Sequence, residues 1–442
     1  MCPTRIKGES MKRLFTIMML FCAAWLTNAQ TPPTIIYVTQ QGAGNKNGFS
    51  WDNAMSNVQD AIDQAVLWGI KQVWVAEGTY VNTHNSWGEV YVRPIILHDG
   101  VSLYGGFAGN EPADYDLSLR NLTTNTSILD GNHSTRVLTQ YNDFVNPITV
   151  DGFTIQNGHA NWVGGAVLKG NATISHCIIR NNSAELDLYD DDLISNRKAC
   201  GGLYCSSASV ISCKIIQNEI SYLGSSWGGS ISAQVRRSYA GGIVTVNSTI
   251  SNCLIYNNNT NQETAYQCTG GVVADGSTLI NCDIVRNNTN AEQGAGGLYC
   301  NGAGNTFVNC VIWGNNGSDG HQNVFSSNLN YNTQPVFSHC AVEAPSGSNL
   351  YNYLTSGETN IILDSENNVF SDGGVWCPNF TNPNNGDFTL KPTSILINGG
   401  TTDGITPPEF DLNRNARIQQ NSIDIGCYEF TKNGTYVVNK QY

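Results

Sequence analysis

The residues best suited to chemistry gather in three stretches of this chain of 442 residues. Residues 183–200 hold Glu185, Asp187, Asp190, Asp191 and Asp192, then Arg197 and Lys198. Residues 219–240 hold Tyr222, Trp227, Arg236, Arg237 and Tyr239, and residues 259–269 add Glu263 and Tyr266. His159 and Trp162 stand just ahead of the first stretch. Carboxylates on a loop can hold Ca²⁺ through oxygen ligands, so Asp190, Asp191 and Asp192 form a candidate calcium site. Aromatic rings offer sugars an apolar face, which makes Trp162, Trp227, Tyr222 and Tyr239, with His159, candidate substrate-binding residues. Guanidinium groups pair with carboxylate or sulfate. Each reading has a plainer counterpart. The acidic triplet matches no EF-hand spacing and also reads as a solvated loop to which the arginines pin their neighbours. The tryptophans also read as packing beneath a loop, and His159 as a surface histidine.

What positions these residues is a repeat. Glycine pairs begin at Gly164, Gly201, Gly241, Gly270 and Gly296, and a cysteine follows each 12 to 14 residues later: Cys177, Cys213, Cys253, Cys282 and Cys310. Isoleucine lies two residues beyond each cysteine and asparagine five beyond, ending at Asn182, Asn218, Asn258, Asn287 and Asn315. Cysteine and isoleucine two apart share one face of a strand. Asparagine tolerates the left-handed backbone of a turn, so the Asn position reads as a bend. One such unit cannot bury its apolar face alone. Stacking the units in register does so and lines up rows of Cys, Ile and Asn. The shortest spacings, 26 and 29 residues, suit one coil of a parallel β-solenoid. The chain between each Asn and the next glycine pair varies, at 18, 22, 11 and 8 residues, so these insertions should emerge side by side on one edge.

Composition agrees. There are 54 Asn and 45 Gly, only 13% of residues are charged, and the formal charge is −13, which argues against a nucleic-acid partner. Residues 1–29 read as a signal peptide, with Lys12 and Arg13 ahead of an apolar run from Leu14 to Leu26 that is too short to span a membrane. The expected localisation is therefore secreted or cell-surface, with no membrane span. In that compartment Cys200, Cys205, Cys268, Cys300, Cys377 and Cys427, outside the cysteine row, are the better disulfide candidates, whereas the row reads as buried thiols. Ile35–Val38 and Val73–Val75 read as strands. Ser50 to Gly69 reads as an amphipathic helix capped by Asp52, with Ala54, Val58, Ala61, Ile62, Ala65 and Val66 on its apolar stripe, covering the open end of the solenoid.

The Gly-Gly-apolar starts with Ile-x-x-Asn resemble the repeats of polymorphic outer-membrane proteins. More widely, Tyr104-Gly-Gly-Phe-Ala-Gly-Asn-Glu111 and Asp151-Gly-Phe-Thr-Ile-Gln-Asn-Gly158 resemble the cap and first coils of secreted bacterial β-helix proteins of the pectate-lyase-like superfamily. Gly386-Asp-Phe-Thr-Leu390, Ile397-Asn-Gly-Gly400 and Asp424-Ile-Gly-Cys-Tyr-Glu429 resemble the closing segment called choice-of-anchor Q, although Ile395 and Cys427 depart from its usual Pro and Ala. The resemblance implies an all-β, single-stranded right-handed parallel β-helix with an N-terminal helical cap. The expected divisions are a signal peptide (1–29), a cap and first coils (30–145), repeats (146–345) and C-terminal coils with a cap (346–442). The polygalacturonase catalytic set is absent as a set. The expected function is non-catalytic, adhesin-like engagement of extracellular or cell-surface polysaccharide through the loop-lined edge. The alternative is a Ca²⁺-assisted lyase of an acidic glycan, or a glycoside hydrolase. In the lyase, Arg236, Arg237 or Lys198 would take the proton next to a neutralised substrate carboxylate, since β-helix lyases often use such a base.

Overall fold

Short strands of two to six residues follow one another with almost no antiparallel pairing, because each coil of the chain lies directly on the one before it. In the computed structural model the described residues are 33–86, 89–186, 198–222, 239–261, 268–291, 294–317, 323–326, 335–343, 362–363, 369–371, 378–419 and 421–431. Residues from Ile35 onward form one unit, and the description concerns that unit. Three parallel sheets of 11, 10 and 8 strands wrap its core. A single coil runs Ala172–Ser175 on the first face and Ile178–Arg180 on the second, leaves through an insertion, and returns as Leu203–Ser206 on the third. The next coil repeats the path 36 residues later, since Ile179 pairs with Ile215. The chain is therefore a parallel β-helix.

Sharp corners need left-handed backbone, and the residues that supply it are regularly placed. Between the first and second faces they are His176, Ser212, Asn252, Asn281, Asn309 and His339, with φ near +50°. Immediately after each comes a cysteine, buried in the core. The thiol of Cys213 lies 3.7 Å from Ile174 O, and that of Cys310 lies 3.5 Å from Leu279 O. The Cys310 N–H in turn reaches Cys340 Sγ at 3.4 Å. Each thiol thus bridges neighbouring coils at a corner where the ladder leaves backbone groups without partners.

At the second corner the left-handed residue is Asn181, Gln217, Asn257, Arg286 or Gly314, one place before the asparagine expected there. The repeated asparagine has a different task. Asn258 Nδ2 donates to Ile215 O (2.8 Å) and to Asn287 Oδ1 (2.9 Å), while its Oδ1 accepts from the N–H and Nδ2 of Asn218 at 3.0 Å. The same pattern runs from Asn182 to Asn315 and ends on Asn323, whose Oδ1 accepts from Asn315 Nδ2 at 2.9 Å. The second glycine of each pair lies against this row. A Cβ on Gly202 would sit 2.4 Å from Gly242 O and 3.0 Å from Asn218 Nδ2, which is why only glycine fits.

The strands Ile35–Val38 and Gln72–Ala76 pair in parallel at the start of the first face. The helix is shorter than its apolar pattern suggests. It spans Val58–Trp68, its N-cap is Asn57 rather than Asp52, and Trp51–Asn53 forms a separate 3₁₀ turn. Val58, Ala61, Ile62 and Ala65 join the main core, but Val66 is 46% exposed. Residues 378–419 and 421–431 run back along the outside of the second face, where Phe388, Leu390, Leu396 and Ile425 cover Leu254, Val285, Val311 and Ala341. Fully buried Arg417 fastens this return segment. It pairs with Glu429 at 3.0 Å, donates to Gly426 O and Cys427 O, and meets the side chain of Asn252 on the coils.

The cysteines outside the row are not bridged. Cys200, Cys205, Cys268, Cys300 and Cys427 are all free and buried, and burial pushes the Cys205 thiol up to about 11. The coils separate these residues as single core positions, so no two are brought together as a disulfide; Cys377 lies outside the described residues.

Candidate functional site

The insertions do leave and return at one edge, and their bases form paired sheets. Outgoing strands His159–Asn161, Ser183–Leu186, Glu219–Tyr222, Asn259–Asn261 and Asn288–Thr289 stack in parallel. Returning strands Ala199–Cys200, Tyr239–Ala240 and Cys268–Thr269 stack behind them. Period-two alternation sorts the side chains. Ala184 and Ile220 point inward against Ala199, Tyr239 and Cys268, forming a small core of their own.

The opposite side of the outgoing strands is polar. One row carries His159, Ser183, Glu219, Asn259 and Asn288 and continues to Asn316; a second carries Asn161, Glu185, Ser221 and Asn261. The amides bond along the axis, Asn288 Nδ2 to Asn259 Oδ1 at 2.8 Å and Asn316 Nδ2 to Asn288 Oδ1 at 2.6 Å. At the other end His159 Nδ1 meets Ser183 Oγ at 2.8 Å, and its Nε2 lies 3.5 Å from Glu185 Oε1. The result is a flat strip of donors and acceptors rising about 4.8 Å per rung.

The expected site residues distribute unevenly over this edge. His159 is on the strip. Trp162 is half-buried, its backbone φ is +75°, and it packs against both the third-face cluster around Val163 and the insertion core, so it is a packing residue at the base. Tyr239 is only 4% exposed, because it opens a returning strand that faces inward, and it has no face to offer a sugar. Lys198 is paired with the carboxylate of Asp275 on the third face, which engages the amino group that the lyase reading casts as a base. Asp190, Asp191, Asp192, Trp227, Arg236 and Arg237 lie outside the described residues, as does the side chain of Tyr222. Among the described residues no group of three or more His, Cys, Asp or Glu side chains could hold a metal ion.

A second cluster escapes the sequence argument altogether. At the corner between the first and second faces, buried Asp151 accepts from Ser175 Oγ at 2.5 Å and from His176 Nδ1 at 2.7 Å, and it is ion-paired with Arg120. Burial works against the charge on Asp151, but the His176 hydrogen bond and the Arg120 guanidinium outweigh it and hold the carboxyl at about 2. His176 is half-exposed and lines a cleft of about 910 Å³, bounded by residues 118–123 and by residues 408–414 of the return segment. The register could have shown part of it, since Asp151 and Ser175 pair across adjacent coils at a spacing of 24 residues. Arg120 and the return segment reach the cluster only through folding.

No protein-family model and no curated protein matches the chain. Among solved structures, the chain is similar to the crystal structure of the pectate lyase Pel9A. That similarity has 14% identity and a TM-score of 0.42, over 90% of this chain and 96% of that one.

Proposed function

We propose that this chain is an exported polysaccharide-binding protein whose ligand lies along the edge where the insertions emerge. The observation that carries the reading is the in-register polar strip, from His159 and Asn161 at one end to Asn288 and Asn316 at the other. Side-chain amides and carboxylates at a fixed rise present alternating donors and acceptors, which suits a polymer whose hydroxyls also repeat. The strip stands on a rigid scaffold, so little ordering opposes binding. The insertions that arise from this edge carry Trp227, Arg236 and Arg237, side-chain types suited to further contacts with such a polymer.

The test is retention of the full chain on a panel of immobilised neutral and acidic polysaccharides. The triple variant Asn161→Ala, Glu219→Ala, Asn288→Ala removes exposed polar groups without touching the core. It is expected to weaken binding at least tenfold. Wild-type affinity in that variant, or no retention on any polysaccharide, refutes the reading.

A further inference from the structure

The cleft beside Asp151 is a built site that the edge does not use. Its floor is the stretch of the second face left open between two coverings: Thr154, Ile178 and Lys214 lie there in register on successive coils. Arg414 closes one side by donating to Ser118 O at 3.2 Å, tying the return segment to the loop across the cleft. Its volume, about 910 Å³, is within the ~300–1,000 Å³ of small-molecule sites. Leu119, 59% exposed, and half-buried Phe410 add apolar surface to the walls.

Two cationic side chains face the cleft with donors to spare. Lys214 Nζ and His176 Nε2 have no hydrogen-bond partner among the described residues, and Arg414 spends one of its donors on Ser118 O. Of the acidic groups facing the cleft, Asp411 is occupied by the N–H groups of Asn413, Asn415 and Glu429. Glu409 is the one carboxylate left on the rim. Arg120 and Asp151 neutralise each other behind His176. In a chain of net charge −13, Lys214, Arg414 and the His176 ring stand against Glu409 and an Asp411 whose oxygens are already taken up by N–H donors, so the uncommitted groups include two cations suited to an anionic ligand.

We propose that this cleft binds an organic oxyanion, a carboxylate or sulfate group borne on a body with an apolar face. Lys214 and Arg414 take the anionic group, His176 accepts a hydroxyl of the body at Nε2 with its ring fixed by Asp151 through Nδ1–H, and Leu119, Ile178 and Phe410 take the apolar face of the body. The site is separate from the edge and does not depend on the edge binding anything.

Calorimetric titration of the full chain tests it with a carboxylated trisaccharide, a sulfated trisaccharide and their neutral parent. Binding of either anionic probe at least tenfold tighter than the parent is expected, and which of the two binds identifies the oxyanion. Lys214→Ala and Arg414→Asn should each weaken it about tenfold, the order of one charge-assisted hydrogen bond. Asparagine suits the left-handed backbone of Arg414, φ +66°, and His176→Asn places at that corner the residue that Asn252, Asn281 and Asn309 already supply. His176→Asn should weaken binding about fivefold; the stability lost with the Asp151 hydrogen bond is read separately by guanidinium unfolding, so that affinities are compared on folded protein. No binding by any probe, equal affinity for neutral and anionic probes, or wild-type affinity in the Lys214→Ala, Arg414→Asn double variant overturns the proposal. Loss of this binding in the edge variant Glu219→Ala, Asn288→Ala would overturn its location.

Discussion

Replacing Asn258 by alanine should destabilise the β-helix far more than replacing its neighbour Asn257. Asn258 is fully buried and makes four side-chain hydrogen bonds, two donated to Ile215 O and Asn287 Oδ1 and two accepted from Asn218. Four bonds at ~1 kcal/mol net each, with a further ~1–2 kcal/mol because the buried Asn218 N–H is left without an acceptor, give a loss of about 5 kcal/mol. Asn257 is exposed and left-handed, φ +53°, so alanine there costs about 1–2 kcal/mol of backbone strain and no buried bond. Asn258→Asp should be at least as harmful as alanine, because a carboxylate faces the Ile215 carbonyl where an amide donated. Guanidinium unfolding measures the total. Because a solenoid can open locally, hydrogen exchange at the Asn218 amide measures the same loss at the site. If Asn258→Ala costs no more than Asn257→Ala, the amide row is not what holds the coils in register.

Three further outcomes follow from the burial of charged and thiol groups. Burial raises Asp283 from near 4 to about 7, despite its bond from Cys427 N–H, so its ionisation opposes folding. The penalty is absent below pH 4, grows between pH 4 and 7 and is complete above, where it reaches about 4 kcal/mol; the thermal midpoint of Asp283→Asn should exceed that of wild type at pH 8 and match it at pH 4, and parallel profiles would contradict this. Arg417→Leu leaves Glu429 buried without its partner, costs about 3–5 kcal/mol, and should expose residues 378–431 to limited proteolysis that wild type resists. The eleven described cysteines, free and buried, should resist a thiol reagent in the native protein and all react in denaturant, whereas a native disulfide would leave two unreactive until reduction.

Much of the architecture was legible because a solenoid writes its register into spacing. The Cys-x-Ile pairs locate the second face, and the glycine pairs locate the third. The insertions share one phase, so their common edge follows from counting. The roles inside the corner were harder. Asparagine at a bend suggests left-handed backbone, yet that conformation belongs to the residue before, from Asn181 to Gly314, and the repeated Asn supplies side-chain bonds. Composition cannot separate the two roles, because the chain uses asparagine for both. The helix start is ambiguous in the sequence for a similar reason. Asp52 and Asn57 are both capable caps, and the 3₁₀ turn at Trp51–Asn53 separates the first from the helix. For the site residues, type gave chemistry without direction. Tyr239 and His159 both stand beside the insertion, but strand alternation buries one and exposes the other.

The return segment marks where spacing stops informing. Its contacts join residues more than 140 apart, such as Cys427 to Asp283, and no repeat relates them. Yet once the register is known, the second face carries a trace of it. The outward position on successive coils reads Ile178, Lys214, Leu254, Asp283, Val311, Ala341. A solvated outer face would be polar throughout. This row turns predominantly apolar from Leu254 onward, with Asp283 as the exception, and that is the stretch the return segment covers. Lys214, still facing the cleft, stands just before the change. The boundary between covered and open face is therefore set by the row itself, and so is the position of the cleft. Lys214→Leu should test this: if the cover is drawn by apolar surface alone, residues 408–414 should gain protection from exchange as the cleft loses its cation.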